Sequence, residues 1–317
     1  MWSLLLSKYT TKTVVAIEWS DAFLRIALLK KKGRDYTLIN ADSEALTSAC
    51  ISHGKIIDFV QFCEILLILL KRNHIKNTYA GFVLNTSDTI IKKNSYNNKL
   101  NSTQLHNAIL LDVAQYISYD INDACWDYEC VERSDTTQSA LVVITHKHNV
   151  EQYYKIAQMT NLKPEVLDID NYVLQRFLKY FYQKNLPRNS CYLMIGLNTG
   201  SYNIHFVNSD TVYFSNQKSL ENISGDEDYI NTLLPWLSRN IQMFQVEHKN
   251  ILFNNILIYG DKAEIESLED SITEHTSMDA NVINPFENIA HNQDINKIQS
   301  PASYVLTLGL ATRELVA

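Results

Sequence analysis

Residues 192–207, YLMIGLNTGSYNIHFV, decide the fold, because they begin for a second time an order of elements that residues 14–29, VVAIEWSDAFLRIALL, have begun once already. Each stretch reads as two short β-rich runs joined by a turn of small or polar residues. A third run follows each time: YTLINADSEA (Tyr36–Ala45) after the KKKGRD turn, and TVYFS ending at Ser215. Both read as three-stranded meanders.

Working outward from the first meander, the stretch after Asp58 has apolar residues at Phe59, Phe62, Ile65, Leu66 and Leu69, the spacing of one helix face. The strand YAGFVL (Tyr79–Leu84) follows. Between about Thr86 and His148 the pattern changes. Ser102 is placed to N-cap a helix carrying Leu105, Ile109, Val113 and Ile117, and two strand-like runs, ACWDYECV and SALVVIT, come after it. This reads as an inserted small α/β unit. The earlier order then resumes with a helix (Val150–Thr160), a strand (Val166–Ile169) and a helix (Asn171–Tyr182).

Pro187 and Arg188 mark a short connection before the second meander. A helix from about Asp226 to His248 follows, with Ile230, Leu233, Leu234, Leu237, Ile241 and Phe244 on one face and Pro235 expected to kink or divide it. Next come a strand (Ile256–Tyr259), a helix (Ala263–Thr273), a short strand (Val282–Ile283) and a last helix (Ser303–Leu315). Both halves therefore read strand, strand, strand, helix, strand, helix, strand, helix, the first interrupted once. Periodicity leaves one alternative, two unrelated α/β lobes. The expected organisation is a first lobe over 1–188 with an insertion at about 86–148, a second lobe over 189–302, and a closing helix over 303–317 at the lobe interface.

Composition narrows the function. The chain has 317 residues, 46% hydrophobic and 20% charged, with a net charge of −7. The acidic balance argues against wrapping nucleic acid by phosphate neutralisation. The opening MWSLLLSKY lacks a signal-peptide core, and the longest aliphatic run, Ile65–Leu70, is far short of the ~20 residues that span a membrane. Five scattered cysteines are no disulfide framework and read as reduced thiols of a cytoplasmic protein. There are only 8 glycines, where roughly 22 would be usual, a handicap for any phosphate-binding loop.

The duplicated α/β order with its insertion resembles the bilobed, ribonuclease H-like actin-like ATPase fold of the PilM family, the cytoplasmic actin-like component of type IV pilus assembly. Four segments carry the resemblance in the right order: MTNLKPEVLDIDNYVLQRF (Met159–Phe177), YLMIGLNTGSYNIHFV (Tyr192–Val207), NVINPFENI (Asn281–Ile289) and SYVLTLGLATREL (Ser303–Leu315). The related FtsA proteins continue into a linker and a membrane-binding tail, whereas this sequence stops at Ala317, which favours the pilus reading.

The resemblance implies that two hairpins grip nucleotide phosphates, each usually reading Asp-x-Gly followed by small hydroxyl residues. Glycine lets backbone N–H groups approach the phosphates and the Asp orients Mg²⁺. On the first hairpin Glu18 stands for the Asp, Ser20 for the glycine, Asp21 places negative charge where a phosphate would lie, and Arg25 takes the place of the family's lysine. On the second, Gly196 and Asn198 stand where Asp and Gly are expected, while Thr199, Gly200 and Ser201 retain hydrogen-bonding capacity. The adenosine-side Gly-Gly pair becomes Gly260-Asp261. A carboxylate about 4 Å from a phosphate charge costs on the order of 4 kcal/mol at an effective dielectric near 20, so the expectation is a pseudo-ATPase with no resident cofactor, the alternative being ATP or ADP with magnesium.

The same resemblance implies a scaffold at the cytoplasmic face of the inner membrane. It would bind the short N-terminal tail of a single-span PilN-like protein and other pilus assembly components, and self-associate through the insertion. The alternatives are a working actin-like ATPase of pilus assembly and an FtsA-like division adaptor. Other chemistry reads as weak: Cys125 and Cys130 fall on opposite faces of a strand and read as buried thiols, His146 and His148 share one face at a strand end, and Tyr153, Tyr154, Tyr172, Tyr180, Phe181 and Tyr182 are core or partner-groove residues.

Overall fold

In the computed structural model, residues 13–33, 35–182, 187, 189–221, 223–291, 294, 295 and 298–313 are described. The opening nonapeptide, Arg188 and the last residues of the closing helix lie outside them. The first half runs β1 (Val14–Trp19), β2 (Phe23–Lys32), β3 (Asp35–Ala45), a small hairpin of β4 (Ile51–Ser52) and β5 (Lys55–Ile56), α1 (Phe59–Arg72) and β6 (Tyr79–Leu84). The insertion follows as β7 (Thr89–Asn97), α2 (Ser102–Tyr116), β8 (Ala124–Arg133) and β9 (Thr137–His146). The half closes with α3 (Lys147–Met159), β10 (Lys163–Ile169) and α4 (Asp170–Phe177). The second half runs β11 (Tyr192–Asn198), β12 (Ser201–Val207), β13 (Val212–Ser219), α5 (Gly225–Glu247), β14 (Asn255–Tyr259), α6 (Leu268–Thr276), β15 (Asp279–Val282), β16 (Ala290–His291) and α7 (Val305–Ala311).

The duplication is visible strand by strand. One sheet has the order β10-β6-β1-β2-β3-β16 and the other β13-β12-β11-β14-β15. In each half the meander is antiparallel, and the fourth and fifth strands add in parallel beside the first. The extra strand β16 comes from the second half yet pairs in parallel with β3 of the first.

Both faces of each central strand are buried, so period-2 alternation sorts side chains between two cores. On β1, Val15 and Ile17 join the α1 and α3 side with Phe62, Leu66, Leu69 and Ile156. Val14 and Ala16 instead face a core between the two sheets, built with α4 and α7 and shared with Tyr192, Met194, Leu257 and Tyr259 of the second half. The outer face of the second sheet packs on Leu233, Leu237 and Phe244 of α5 and Ile272 of α6. The insertion has a core of its own, Leu105, Ile109 and Val113 of α2 against Ala140, Val142 and Ile144 of β9.

Several expected elements shift. The N-cap of α2 is Asn101, not Ser102: its side chain accepts from the Gln104 N–H while the Gln104 side chain returns to the Asn101 N–H, a complete capping box. The insertion holds a strand the sequence reading missed, β7, because Lys92-Lys93 interrupts the alternation of an exposed edge strand. The helix expected at Val150 starts at Lys147, capped by His146. The one expected over Ala263–Thr273 starts at Leu268, because the chain after β14 is folded back by Lys262 N–H to Leu197 C=O and Gly260 N–H to Ala302 C=O bonds. The strand placed at Val282–Ile283 is Asp279–Val282. Beyond Phe177 a π-helical turn, Leu178–Tyr182, replaces regular helix, and a 3₁₀ turn, Pro301–Tyr304, precedes α7. The helix α5 runs undivided through Pro235, held by its buried face.

Candidate functional site

The β1–β2 hairpin and the β11–β12 hairpin meet between the lobes. In the first turn the Ser20 hydroxyl accepts from the Ala22 N–H at 3.3 Å and the Phe23 N–H at 3.2 Å, so it is spent in closing its own turn. Asp21 is held from outside the hairpin. Its two carboxylate oxygens accept the backbone N–H groups of His53 (2.9 Å) and Gly54 (2.5 Å), from the tip joining β4 to β5. His53 and Gly54 have φ of +50° and +74°, the successive positive values that turn neighbouring N–H groups toward one anion. The Trp19 indole N–H donates to the Gly54 carbonyl at 3.2 Å and fixes the tip further.

The other edge of Asp21 lies against the second hairpin. A Cβ built on Gly200 would overlap Asp21 Oδ2 and stand 2.9 Å from its Cγ. Gly200 is thus a point of close approach between the two hairpins. Thr199 is exposed and Ser201 half-buried. Gly196 fits against the Tyr259 ring, where a Cβ would fall 2.6 Å from Cζ. Gly260 has φ of +106°, and a Cβ there would strike the Leu197 carbonyl oxygen.

The middle of the site is an ion cluster. Arg25, 2% exposed, donates from Nη1 to Glu18 Oε2 at 3.1 Å, from Nη2 to Asp261 Oδ1 at 2.8 Å, and from Nε to Ser303 Oγ at 2.9 Å. Its guanidinium carbon also lies 5.4 Å from the Phe23 ring centroid. Glu18, Asp261 and Ser303 come from β1, the loop after β14, and the turn before α7, so one side chain ties three elements of both halves together. A single cation cannot neutralise two buried carboxylates. Burial pushes the Glu18 carboxyl up to about 7 despite the attraction of Arg25, and the two carboxylates hold Arg25 firmly charged. Asp261 Oδ2 has no hydrogen-bond partner among the described residues.

The structure therefore brings Glu18, Asp21, Arg25, Gly200, Gly260 and Asp261 into one region, with Ser20 closing its own turn and Thr199 directed to the surface. Sequence reading missed Ser303, Tyr259 and the His53-Gly54 tip. The His-Gly pair was a legible turn signal, but nothing local ties it to Asp21. Elsewhere, the thiol of Cys130 is exposed, not buried as expected, while Cys50, Cys63 and Cys191 are buried. His146 and His148 do meet, Nδ1 to Nδ1 at 2.7 Å. Among the described residues no three His, Cys, Asp or Glu side chains form a cluster that could hold a metal. No described helix is long and apolar enough to cross a membrane. Of the aromatic set, Tyr153 and Phe181 are core residues, whereas Tyr154 and Tyr180 are exposed.

Comparison with known proteins gives a consistent result. The sequence model of a family described as type IV pilus assembly protein PilM matches residues 16–220 and 227–315. No curated protein matches. Among solved structures, a PilM-PilN type IV pilus biogenesis complex aligns at a TM-score of 0.75 with 15% identity, covering 94% of this chain and 97% of that one. The ethanolamine utilization protein EutJ from Carboxydothermus hydrogenoformans aligns at 0.52 with 7% identity, covering 97% and 92%. The cytoplasmic domain of EpsL, an inner-membrane component of the type II secretion system of Vibrio cholerae, aligns at 0.51 with 11% identity, covering 96% of each chain. These likenesses carry the fold, which is actin-like, and the family match carries the kinship: the chain belongs to the type IV pilus assembly protein PilM family.

Proposed function

We propose that this protein is a cytoplasmic scaffold of type IV pilus assembly, peripheral at the inner membrane, that docks the tail of a PilN-like protein and does not turn over ATP. The observation that carries the second part is the occupation of the space between the hairpins by the chain's own groups. Asp21 seats its carboxylate where the second hairpin comes closest, Tyr259 fills the space beside Gly196, and Arg25 is consumed by two carboxylates and Ser303. A magnesium nucleotide does not fit these residues without their rearrangement. Its phosphates would meet Asp21 and would have to draw Arg25 away from an ion cluster whose disruption leaves buried carboxylates exposed to each other.

The first part rests on the family. PilN is the named partner in the related complex, and docking a tail needs an apolar groove or an unpaired strand edge, neither of which depends on a phosphate cradle. Further pilus assembly components, and self-association through the insertion, where β8 lies at a sheet edge, belong to the same proposal.

Calorimetry on nucleotide-stripped protein tests it. We expect no saturable heat with MgATP or MgADP at micromolar concentrations, and saturable binding of a synthetic peptide copying the N-terminal tail of the PilN-like protein from the same organism. Micromolar nucleotide affinity would establish the working-ATPase alternative. Recovery of division proteins without pilus components in a pull-down would establish the FtsA-like one.

A further inference from the structure

A second polar site lies beside the β11–β12 hairpin, along β12 away from its turn and at the root of the insertion. Thr86, Ser87 and Thr89 at the root of the insertion, Asp170 at the start of α4, Asn203 and His205 of β12, and residues 215–217 of β13 line a cavity of about 220 Å³. That leaves room for a compact organic ligand.

Its chemistry is one-sided. His205 is 2% exposed. Its Nδ1 lies 2.7 Å from the Asn171 amide oxygen, which also accepts the Ser215 hydroxyl at 2.6 Å. An amide oxygen can only accept, so the proton of this bond sits on Nδ1, which also lies 3.1 Å from the Ser215 hydroxyl, and burial holds the ring neutral. The remaining nitrogen, Nε2, is then a lone-pair acceptor, and it is buried with no partner among the described residues. The Gln217 amide oxygen is a second buried acceptor with no partner. Asp170 supplies negative charge and is itself held in place by the Thr86 and Asn171 backbone N–H groups and the Thr86 hydroxyl. No Lys or Arg lines the cavity.

We propose that this cavity binds a small free organic cation bearing several N–H donors, of the amine or guanidinium class. An anion would face Asp170 without a counter-charge. An apolar ligand would leave His205 Nε2 and Gln217 Oε1 unsatisfied, a cost such buried acceptors do not ordinarily bear.

The test uses the full chain, with agmatine, putrescine and methylguanidinium as probes and inorganic phosphate and glycerol as controls, read by calorimetry and by the ¹⁵N shift of the His205 imidazole. We expect saturable binding of at least one cation, a shift of the Nε2 signal, and no binding of the controls. Gln217→Leu should weaken the affinity roughly tenfold, the loss of one charge-assisted hydrogen bond, and the near-isosteric Gln217→Glu should strengthen it. No saturation by any of the three cations, equal binding of phosphate, or indifference to both Gln217 variants would overturn the proposal. So would binding of N-acetyl-arginine amide with none of agmatine, since the cation would then belong to a peptide.

Discussion

Asp21 and Gly200 act as a pair. A methyl group on Gly200 would overlap the Asp21 carboxylate, whose position is set by the His53 and Gly54 N–H groups, so relief requires breaking those bonds. Gly200→Ala should destabilise the protein by about 1–3 kcal/mol, the usual cost of overpacking, in urea denaturation. Asp21→Ala should absorb most of that cost, and a double-mutant cycle should return a coupling of comparable size. Additivity of the two changes would show that they do not touch. At this scale the sequence disclosed positions and hid partners. Glu18, Asp21, Arg25 and Gly200 could be placed on their hairpins by spacing. That Arg25 reaches Asp261 and Ser303, 236 and 278 residues away, could not: ion-pair geometry is a product of tertiary approach and leaves no periodic trace.

Among the elements, α4 and α7 cross most closely where Gly309 of α7 rests on the Val173 carbonyl of α4. Helix propensity alone favours alanine over glycine by about 1 kcal/mol, so a free helix would gain from Gly309→Ala. Here the added methyl would overlap the Val173 carbonyl oxygen and stand 2.9 Å from a Val173 side-chain carbon. A backbone atom cannot step aside without moving α4. The clash wins, and we expect Gly309→Ala to lower stability by roughly 2 kcal/mol or more; a rise in the thermal midpoint would refute it. The helices and central strands were legible because one-sided burial gives α1 a helical period and two-sided burial gives β1 an unbroken apolar run. The edge strand β7 was not, since it is half solvated and its lysines break the alternation. The start of α6 was masked for the opposite reason: the half-buried Ile265 packs into the core of the second half from a turn, and its spacing to Leu268 and Ile272 extends their helical period backward.

On the scale of the whole molecule, the duplicated strand order and the strap of β16 onto β3 make the two halves one body, and the Arg25 cluster lies in the seam between them. This gives the protein a definite response to pH. Glu18 binds its proton more tightly in the folded protein, near 7, than at its ordinary value of 4.5. The stability it contributes is therefore complete below 4.5 and lost as the pH rises through 7. The difference in unfolding free energy between wild type and Glu18→Gln should fall steadily across that window, because glutamine keeps the shape and does not titrate. A flat difference would show that Glu18 stays ionised throughout. The seam has one more consequence. Asp21, bound by the His53-Gly54 tip, is a ligand carried on the same chain as its receptor, and such a tether fixes the local concentration of carboxylate at the millimolar level or above. Any free anion seeking those two N–H groups competes with an occupant that cannot be diluted or washed away, so dialysis and buffer exchange leave this part of the seam as it is.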